Sequence, residues 1–390
     1  MPNAAFYQFV RDHLEADVHR LLLSASKFPG IDVPKAATHI KALQKVKHKI
    51  PSWYNFQLEL PFAVSMEQAS SEATARFKAG LITGNTMADL SGGLGVDSYF
   101  FSKSFKSVQY IEQQELLCSA AKHNFSLLGA TNIEVHSTTA ESFIESSKAH
   151  FDLIYLDPAR RNAQQNRVFL LSDCSPDVVA LRSSLLEKTG RLLIKTAPML
   201  DVWEAIRQLQ SVIKVWVVAV DNECKELLFL LEKQGIPIDQ VPIVAVADPS
   251  AATHFSFTKK EEQESEVNYG LPEDYLIEPD VSILKAGAFK RFATHFGLFK
   301  LHPDSHLYTS KQLIKGVPGR TFRIKAVVKY EVKQVQNLIP GGKANVATRN
   351  FPDTPEQIKK KLRLKDGGTT YLFGTTLLEE SKRILVCEKA

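Results

Sequence analysis

The sequence predicts an α/β fold: a mostly parallel sheet, preceded by a helical N-terminal region and followed by a small α+β C-terminal domain. Two observations predict it. From residue 86 to residue 210, apolar runs suited to strands are interleaved with amphipathic runs suited to helices. The first of these strands enters a glycine-rich turn, "DLSGGLGVD" at 89–97, and then a helix. Such a turn brings backbone close to a ligand at the carboxyl edge of an open sheet. The charge also changes along the chain. The net charge is +5, yet from Lys285 onward 21 Lys and Arg face 8 Asp and Glu, a surplus of 13 that leaves −8 on the rest.

Each element follows from its pattern. Phe6, Phe9, Val10, Leu14, Val18, Leu21 and Leu22 recur at helical spacing, so residues 1–50 are read as mostly helical with a break at "KFPGIDVP". "KIPSWYNF" is a loop, and "SMEQASSEATARFKAGLI" (65–82) is a helix. Strands follow at "TMADL", "SVQYIE", "IEVH", "FDLIYLD" and "RLLIKT", separated by helices at "DSYFFSKSF", "ELLCSAAKHNFSLLG", "AESFIES" and "DVVALRSSLLEK". After the helix "DVWEAIRQLQ", the strands "VIKVWVVAV" and "ELLFLLEK" come in immediate succession, which suggests a hairpin at the sheet edge. "VPIVAVAD" and "HFSFTKK" continue that edge. "KKEEQESEVNYGLPED" is a charged break and a domain boundary. Beyond it, 280–298 is helical. "TFRIKAVVKY", "KANVATRNF", "TTYLFGTTL" and "RILVCEK" are strands, with helices at "EVKQVQNLI" and "PEQIKKKLRL".

At 390 residues, 44% hydrophobic and 23% charged, the chain has ordinary globular composition and room for two or three domains. Nothing approaches 18 consecutive apolar residues, so no membrane span is expected. The N-terminus reads as a helix rather than a signal peptide. Cys118, Cys174, Cys224 and Cys387 form no CxxC pair, which points away from a zinc site or a disulfide framework and toward a reducing cytoplasm. His295, His302 and His306 lack a supporting acid or cysteine cluster, and no metal is expected.

The glycine turn departs from the dinucleotide fingerprint G-x-G-x-x-G. Gly93 and Gly95 supply two glycines, but Ser98 holds the third position and Asp97 sits where the helix begins. No G-K-[ST] follows, which excludes a phosphate-binding P-loop. Asp89 at the strand end suits a cationic amine. S-adenosylmethionine, with an ammonium, a sulfonium and no phosphate, meets these demands. Glu112 ends the second strand, where a carboxylate accepts both ribose hydroxyls. Glu141 follows the third strand and is placed for an adenine amino group, with an ordinary first-turn helix acid as the alternative. The fourth strand ends in Asp157-Pro158, which resembles the D-P-P-[YFW] or N-P-P-[YFW] motif of class I methyltransferases. There the acid or amide and a neighbouring carbonyl hold an amino group in line with the methyl. Here Ala159 replaces the second proline and Arg160 the aromatic. Arg160 suits stacking on a base or a phosphate contact, so exocyclic-amine, ring-nitrogen and ring-carbon transfer all stay open. Cys174, expected at a helix start, and Cys224 are read as structural.

Taken together, "SMEQASSEATARFKA", "DLSGGLGVD", "YIEQ", "LDPARR", "LLIKTAPMLD" and "NECKELLFLL" resemble a bacterial family of class I S-adenosylmethionine-dependent methyltransferases. That family carries a THUMP-like domain at its C-terminus, and "ANVATRNFPDTPEQIKKKLRLKDGGTTYLFGTT" resembles that domain. The resemblance implies a Rossmann-like core and a tail related to RNA-binding modules. It divides the chain into a helical region at 1–64, a methyltransferase domain at 65–260, a ferredoxin-like segment at 274–318 and a THUMP-like domain at 319–390. By position, Asp89, Ser91, Gly92, Gly93 and Gly95 line the methionine end, Glu112 holds the ribose, Glu141 reaches the adenine, and Asp157, Pro158 and Arg160 face the acceptor. Glu67, Gln68 and Thr74 are candidates to lie over the cofactor, with an exposed polar helix face as the alternative. Lys195, Arg349, Lys360, Lys361, Arg363 and Lys365 are candidate RNA contacts, alongside Lys359, with a partly buried strand-end lysine as the alternative for Lys195. Tyr371 and Phe373 are read as a core face, with stacking on bases as the alternative.

The function expected is a methyltransferase acting on a base of structured RNA, tRNA or rRNA. Transfer to a protein or small molecule, or an RNA-binding protein built on the same scaffold, are the alternatives, with a dinucleotide oxidoreductase last.

Overall fold

The computed structural model describes residues 4–61, 66, 68–160, 171, 174–339 and 341–390. They form two compact units: Met1–Ile213 with Leu228–Gly235, and Lys214–Leu227 with Ile236–Ala390.

The first unit opens with helices α1 (Ala4–Asp12), α2 (Val18–Leu23) and α3 (Val33–Lys49). Asp17 and Asp32 cap α2 and α3 by accepting from backbone N–H groups. Pro34 occupies the first turn of α3, where a missing N–H costs nothing. α3 buries Val33, Ala36, Ile40, Leu43 and Val46 and packs on α1 and α2. The helix expected over 65–82 is broken. Met66 and Gln68 are helical, but α4 (Glu72–Leu81) starts afresh at Ser71, whose side chain accepts from the Thr74 N–H. Thr74 is buried in that first turn.

The alternating region is as expected: β1 (Gly84–Asp89), α5 (Val96–Phe101), β2 (Phe105–Glu112), α6 (Glu115–Leu127), β3 (Ile133–Ser137), α7 (Ala140–Ser146) and β4 (Leu153–Leu156). A short ladder of β5 (Ala159–Arg160) and β6 (Cys174–Ser175) follows, then α8 (Val178–Lys188), β7 (Leu192–Thr196) and α9 (Val202–Leu209). Cys174 is therefore a buried strand residue, and Asp177, not Cys174, caps α8. The central strands run in the order β7-β4-β1-β2-β3, all parallel. All four residues of β4 are buried, as expected of a parallel strand covered on both faces. Register decides what shares the carboxyl edge. Asp89 stands opposite Tyr110 and Tyr155, Glu112 opposite Ser137, and Leu156 opposite Ile194. Asp157 and Lys195 come next on their chains.

In the second unit, Asp221 and Asn222, both at positive φ, make the tight turn between β8 (Val212–Val220) and β9 (Glu223–Leu231). β10 (Ile243–Val246) pairs parallel with β8 and antiparallel with β11 (Phe255–Phe257), continuing the edge as expected. The charged stretch after β11 is not wholly irregular. It starts with α10 (Lys259–Glu264), closed by a Thr258–Glu261 capping box. The helix expected over 280–298 divides at Gly287 (φ +79°) into α11 (Val281–Ala286) and α12 (Lys290–Phe296). Glu262 accepts from the N–H groups of Phe289, Lys290 and Arg291 and so starts the second piece.

The remaining strands are β12 (Tyr275–Pro279), β13 (Phe299–Lys300), β14 (Tyr308–Ser310), β15 (Gly319–Lys329), β16 (Asn345–Arg349), β17 (Thr370–Thr376) and β18 (Lys382–Lys389). They form one sheet, β13-β14-β12-β15-β18-β17-β16. Period-two alternation splits its side chains between two cores. Leu372, Ile384 and Val386 meet α13 (Val332–Gln336) and α14 (Pro355–Leu362), while Phe373, Leu385 and Cys387 join Leu276 and Phe322. Among the described residues no helix is long and apolar enough to cross a membrane.

The glycine turn is the tightest spot in the first unit. A Cβ on Gly92 would lie 2.3 Å from the Tyr110 ring, which is fully buried. Gly92→Ala is therefore expected to lower unfolding free energy by about 1–3 kcal/mol in urea titration. Gly80→Ala on α4, where nothing lies within 4 Å, is expected to be neutral or stabilising by up to about 1 kcal/mol.

Candidate functional site

A cleft of about 270 Å³ opens at the carboxyl edge of the first unit's sheet. Its wall brings together Gln68, Asp89, Ser91, Gly92, Gly93, Gly95, Glu112, Glu141 and Asp157 from five separate stretches of chain. Leu94, Ile111, Leu117 and Ala140 add apolar surface. Among the described lining residues the charged groups are five carboxylates, Asp89, Asp97, Glu112, Glu141 and Asp157, with no lysine or arginine. Pro158 is buried just behind Asp157. Glu67 and the Arg160 side chain lie outside the described residues, although the Arg160 backbone belongs to β5.

Asp89 ends β1 and is 1% exposed. Ser91 donates to its Oδ1 from both backbone N (3.0 Å) and Oγ (3.2 Å), and Ser98 donates to its Oδ2 at 2.6 Å. Burial pushes this carboxyl up to about 7 against the pull of those donors. Ser91 Oγ also accepts from the Asp157 N–H at 2.6 Å, so one hydroxyl ties the ends of β1 and β4 together. On the other side, Gly92 N donates to Ile111 O and Gly93 N to Glu112 Oε2 (2.9 and 3.0 Å). Glu112 Oε1 takes the Gln114 N–H at 2.8 Å, and Tyr110 Oη donates to Gly93 O at 2.6 Å. The turn is thus pinned to both neighbouring strands before any ligand arrives.

Two ion pairs stand behind the wall. Lys195 on β7 donates to Asp157 Oδ2. Lys78 on α4 is fully buried, lies 3.3 Å from Asp97 Oδ1 and donates to Ser70 Oγ at 2.9 Å. Ser70 and Tyr155 each donate to Asp97 Oδ2 at 2.8 Å. Burial alone would raise the Asp97 carboxyl, but Lys78, Lys195 and these hydroxyls outweigh it and hold it below the usual carboxylate range.

This architecture has a close counterpart among solved structures. A protein of Porphyromonas gingivalis W83, described as a candidate methyltransferase, matches 99% of this chain over 98% of its own, at 34% identity and a TM-score of 0.89. Residues 275–318 match a ferredoxin-like domain family, and residues 319–389 match the THUMP domain-like family. The chain belongs to the bacterial class I methyltransferase family with a THUMP-like C-terminus. An rRNA methylase of Streptococcus thermophilus (19% identity, 42% of this chain and 95% of that one, TM-score 0.32) also matches. So does a Streptococcus mutans protein solved with SAH (16% identity, 42% and 97%, TM-score 0.32), but both cover too little of this chain to carry an argument. No curated protein matches.

In this methyltransferase the third fingerprint position is a serine because Ser98, fully buried, must donate to Asp89. The basic tail residues are distributed differently from one another. Lys360, Lys361, Arg363 and Lys365 are exposed, with Lys361 Nζ 3.8 Å from the Tyr330 ring centroid. Lys359 pairs with Asp366 at 3.0 Å. Arg349 donates to the buried Glu278 at 2.7 Å, which it shares with Arg320. Phe373 is buried and Tyr371 packs on the same core. Among the described residues no three His, Cys, Asp or Glu are grouped to hold a metal. Sequence reasoning missed Lys78 and Ser70. The available signal was position: Lys78 falls on the same helical stripe as Thr74, Ala75 and Ala79, all buried.

Lys78→Met strands a buried carboxylate, so it is expected to destabilise the fold by about 3 kcal/mol at neutral pH. The folded-state pKa of Asp97 is depressed, so its stabilisation is full above the unfolded value and is lost as pH falls through the folded one. The gap between wild type and variant in urea titrations is accordingly widest near pH 7 and narrows as the pH falls below the ordinary carboxylate range.

Proposed function

We propose that this methyltransferase moves a methyl group from S-adenosylmethionine to a base of structured RNA, tRNA or rRNA, with the acceptor held at Asp157-Pro158. The observation that carries the cofactor reading is the charge of the cleft: five carboxylates and no cation among its described lining residues. Such a wall repels the phosphates of a dinucleotide and attracts an ammonium and a sulfonium.

The residues fit that cofactor. Each Glu112 oxygen has spent one lone pair on a backbone N–H and keeps another for a ribose hydroxyl. At Gly93 even a Cβ would meet nothing nearer than 3.7 Å, so the chain leaves space for the methionine end. Asp89 offers negative charge there. Thr138, Thr139 and Glu141 close the opposite end, with Glu141 for the adenine amino group. Gln68 borders the cleft, and it and Glu67 are proposed as the cover. When bound, the cofactor supplies an already activated methyl on its sulfonium. The chain supplies position. Lys195 holds Asp157 Oδ2, leaving Oδ1 to accept from the acceptor and aim its lone pair. Arg160 follows as a contact to the RNA. The RNA reading is supported by the THUMP domain-like match and by exposed Lys360, Lys361, Arg363 and Lys365. A cationic surface of this kind grips phosphate backbone in a salt-dependent way.

The test is transfer of tritiated methyl from S-adenosylmethionine to total RNA purified from cells lacking the gene. Wild type is expected to label RNA. Asp157→Ala is expected to lose about 100-fold or more of that rate while binding S-adenosylhomocysteine within about twofold of wild type. Label appearing only in protein or small molecules would refute the RNA acceptor.

Cofactor binding also has a proton signature. Burial pushes the Asp89 carboxyl up to about 7, and a ligand ammonium beside it favours the ionised form. Calorimetry of S-adenosylhomocysteine near pH 7, in buffers of different ionisation enthalpy, is expected to show net proton release. Asp89→Asn is expected to abolish it.

A further inference from the structure

A second groove, of about 570 Å³, lies along the first unit's sheet. Thr86 of β1, Ser107 and Gln109 of β2, His136 of β3 and Phe143 of α7 line it. Thr138, just past β3, lines both this groove and the cofactor cleft.

Packing alone does not account for these residue types. A parallel strand covered on both faces carries apolar side chains, as β4 does. Here three adjacent strands carry threonine, serine, glutamine and histidine instead. Among the described residues that line the groove none is Asp, Glu, Lys or Arg. An ionic ligand would lose its water there and gain no opposite charge.

A face simply left to water explains polar side chains, but not the order among them. Gln109 Oε1 can only accept, so His136 Nε2, 2.6 Å away, donates to it. Gln109 Nε2 donates to Ser107 Oγ at 3.4 Å. The amide is thereby held at both ends. Its oxygen keeps a second lone pair and its nitrogen a second hydrogen. An amide fixed in this way presents an acceptor beside a donor. That is the pattern that pairs bidentately with the amino group and ring nitrogen of adenine. The half-buried Phe143 ring, 5.2 Å from the His136 ring, supplies a flat apolar surface for the base. A base splayed out of a strand leaves its phosphates outside, which suits an uncharged groove.

We infer that this groove binds an adenine base, paired edge-on with the Gln109 amide, and that the RNA substrate supplies it as an unstacked nucleotide. The RNA source rests on the reading given above. The adenine site does not.

The test is equilibrium dialysis of the full-length protein against tritiated adenosine, with S-adenosylhomocysteine in excess to keep the cofactor cleft filled. Wild type is expected to retain adenosine, and Gln109→Leu to bind it about tenfold more weakly. The variant places an apolar residue where a parallel sheet favours one, so its urea midpoint is expected to equal or exceed that of wild type. This separates loss of the site from loss of the fold. Unlabelled total tRNA is expected to displace the adenosine. No retention by wild type, or equal retention by Gln109→Leu, overturns the site. Retention only when S-adenosylhomocysteine is left out places the adenosine in the cofactor cleft and overturns it too. Displacement by AMP but not by tRNA keeps the adenine site and overturns RNA as its source. Failure of RNA methylation would leave the adenosine result unchanged, so the two readings fail separately.

Discussion

One buried carboxylate organises the site. Asp89, at the end of the first strand, takes three hydrogen bonds from Ser91 and Ser98. Those bonds curl the chain into the glycine turn, and Ser91 then reaches across to the Asp157 N–H. The cleft wall and Asp157, the proposed acceptor residue, are thus set by the same side chain. Gly92 follows from this. Once the turn is drawn onto β2, only hydrogen fits beside the Tyr110 ring. Ser98 in place of a third glycine follows too, since Asp89 needs its hydroxyl.

The second constraint is electrostatic. A cleft that gathers five carboxylates would repel itself if all were left uncompensated. The chain places its cations behind the wall: Lys78 on Asp97 and Lys195 on Asp157. This fixes two of the acids, and among the described lining residues the cleft carries no lysine or arginine. Burying Lys78 is costly. It persists because Asp97 lies 3.3 Å away and Ser70 bridges the pair, accepting from Lys78 and, with Tyr155, donating to Asp97 Oδ2. That network also explains why the helix expected to run through Ser70 starts again at Ser71.

Much of this was legible in the sequence because parallel strands buried on both faces read as continuous apolar runs ending in an acid, as "FDLIYLD" and "SVQYIE" do. Most of the proposed cofactor residues, Asp89, Ser91, Gly92, Gly93, Gly95, Glu112 and Glu141, converge on one cleft for that reason. What was hidden depended on tertiary partners. Whether a lysine is solvated or buried is invisible until its acid is known, so Lys78 went unnamed and Lys195 stayed open between an RNA contact and a partly buried strand-end lysine. Arg349 likewise gave no sign that Glu278 holds it. Gly287 broke a helix that periodicity alone would have continued, because Glu262, 25 residues earlier in the chain, supplies a second N-terminal cap.

A crystal structure of the full chain grown with S-adenosylhomocysteine tests the central claim most directly. The account predicts the ligand in the cleft, its ribose hydroxyls on Glu112, its amino-acid end against the Asp89 turn, and its sulfur facing Asp157. Density for the ligand elsewhere, or a cleft that stays empty at saturating concentration, would contradict it.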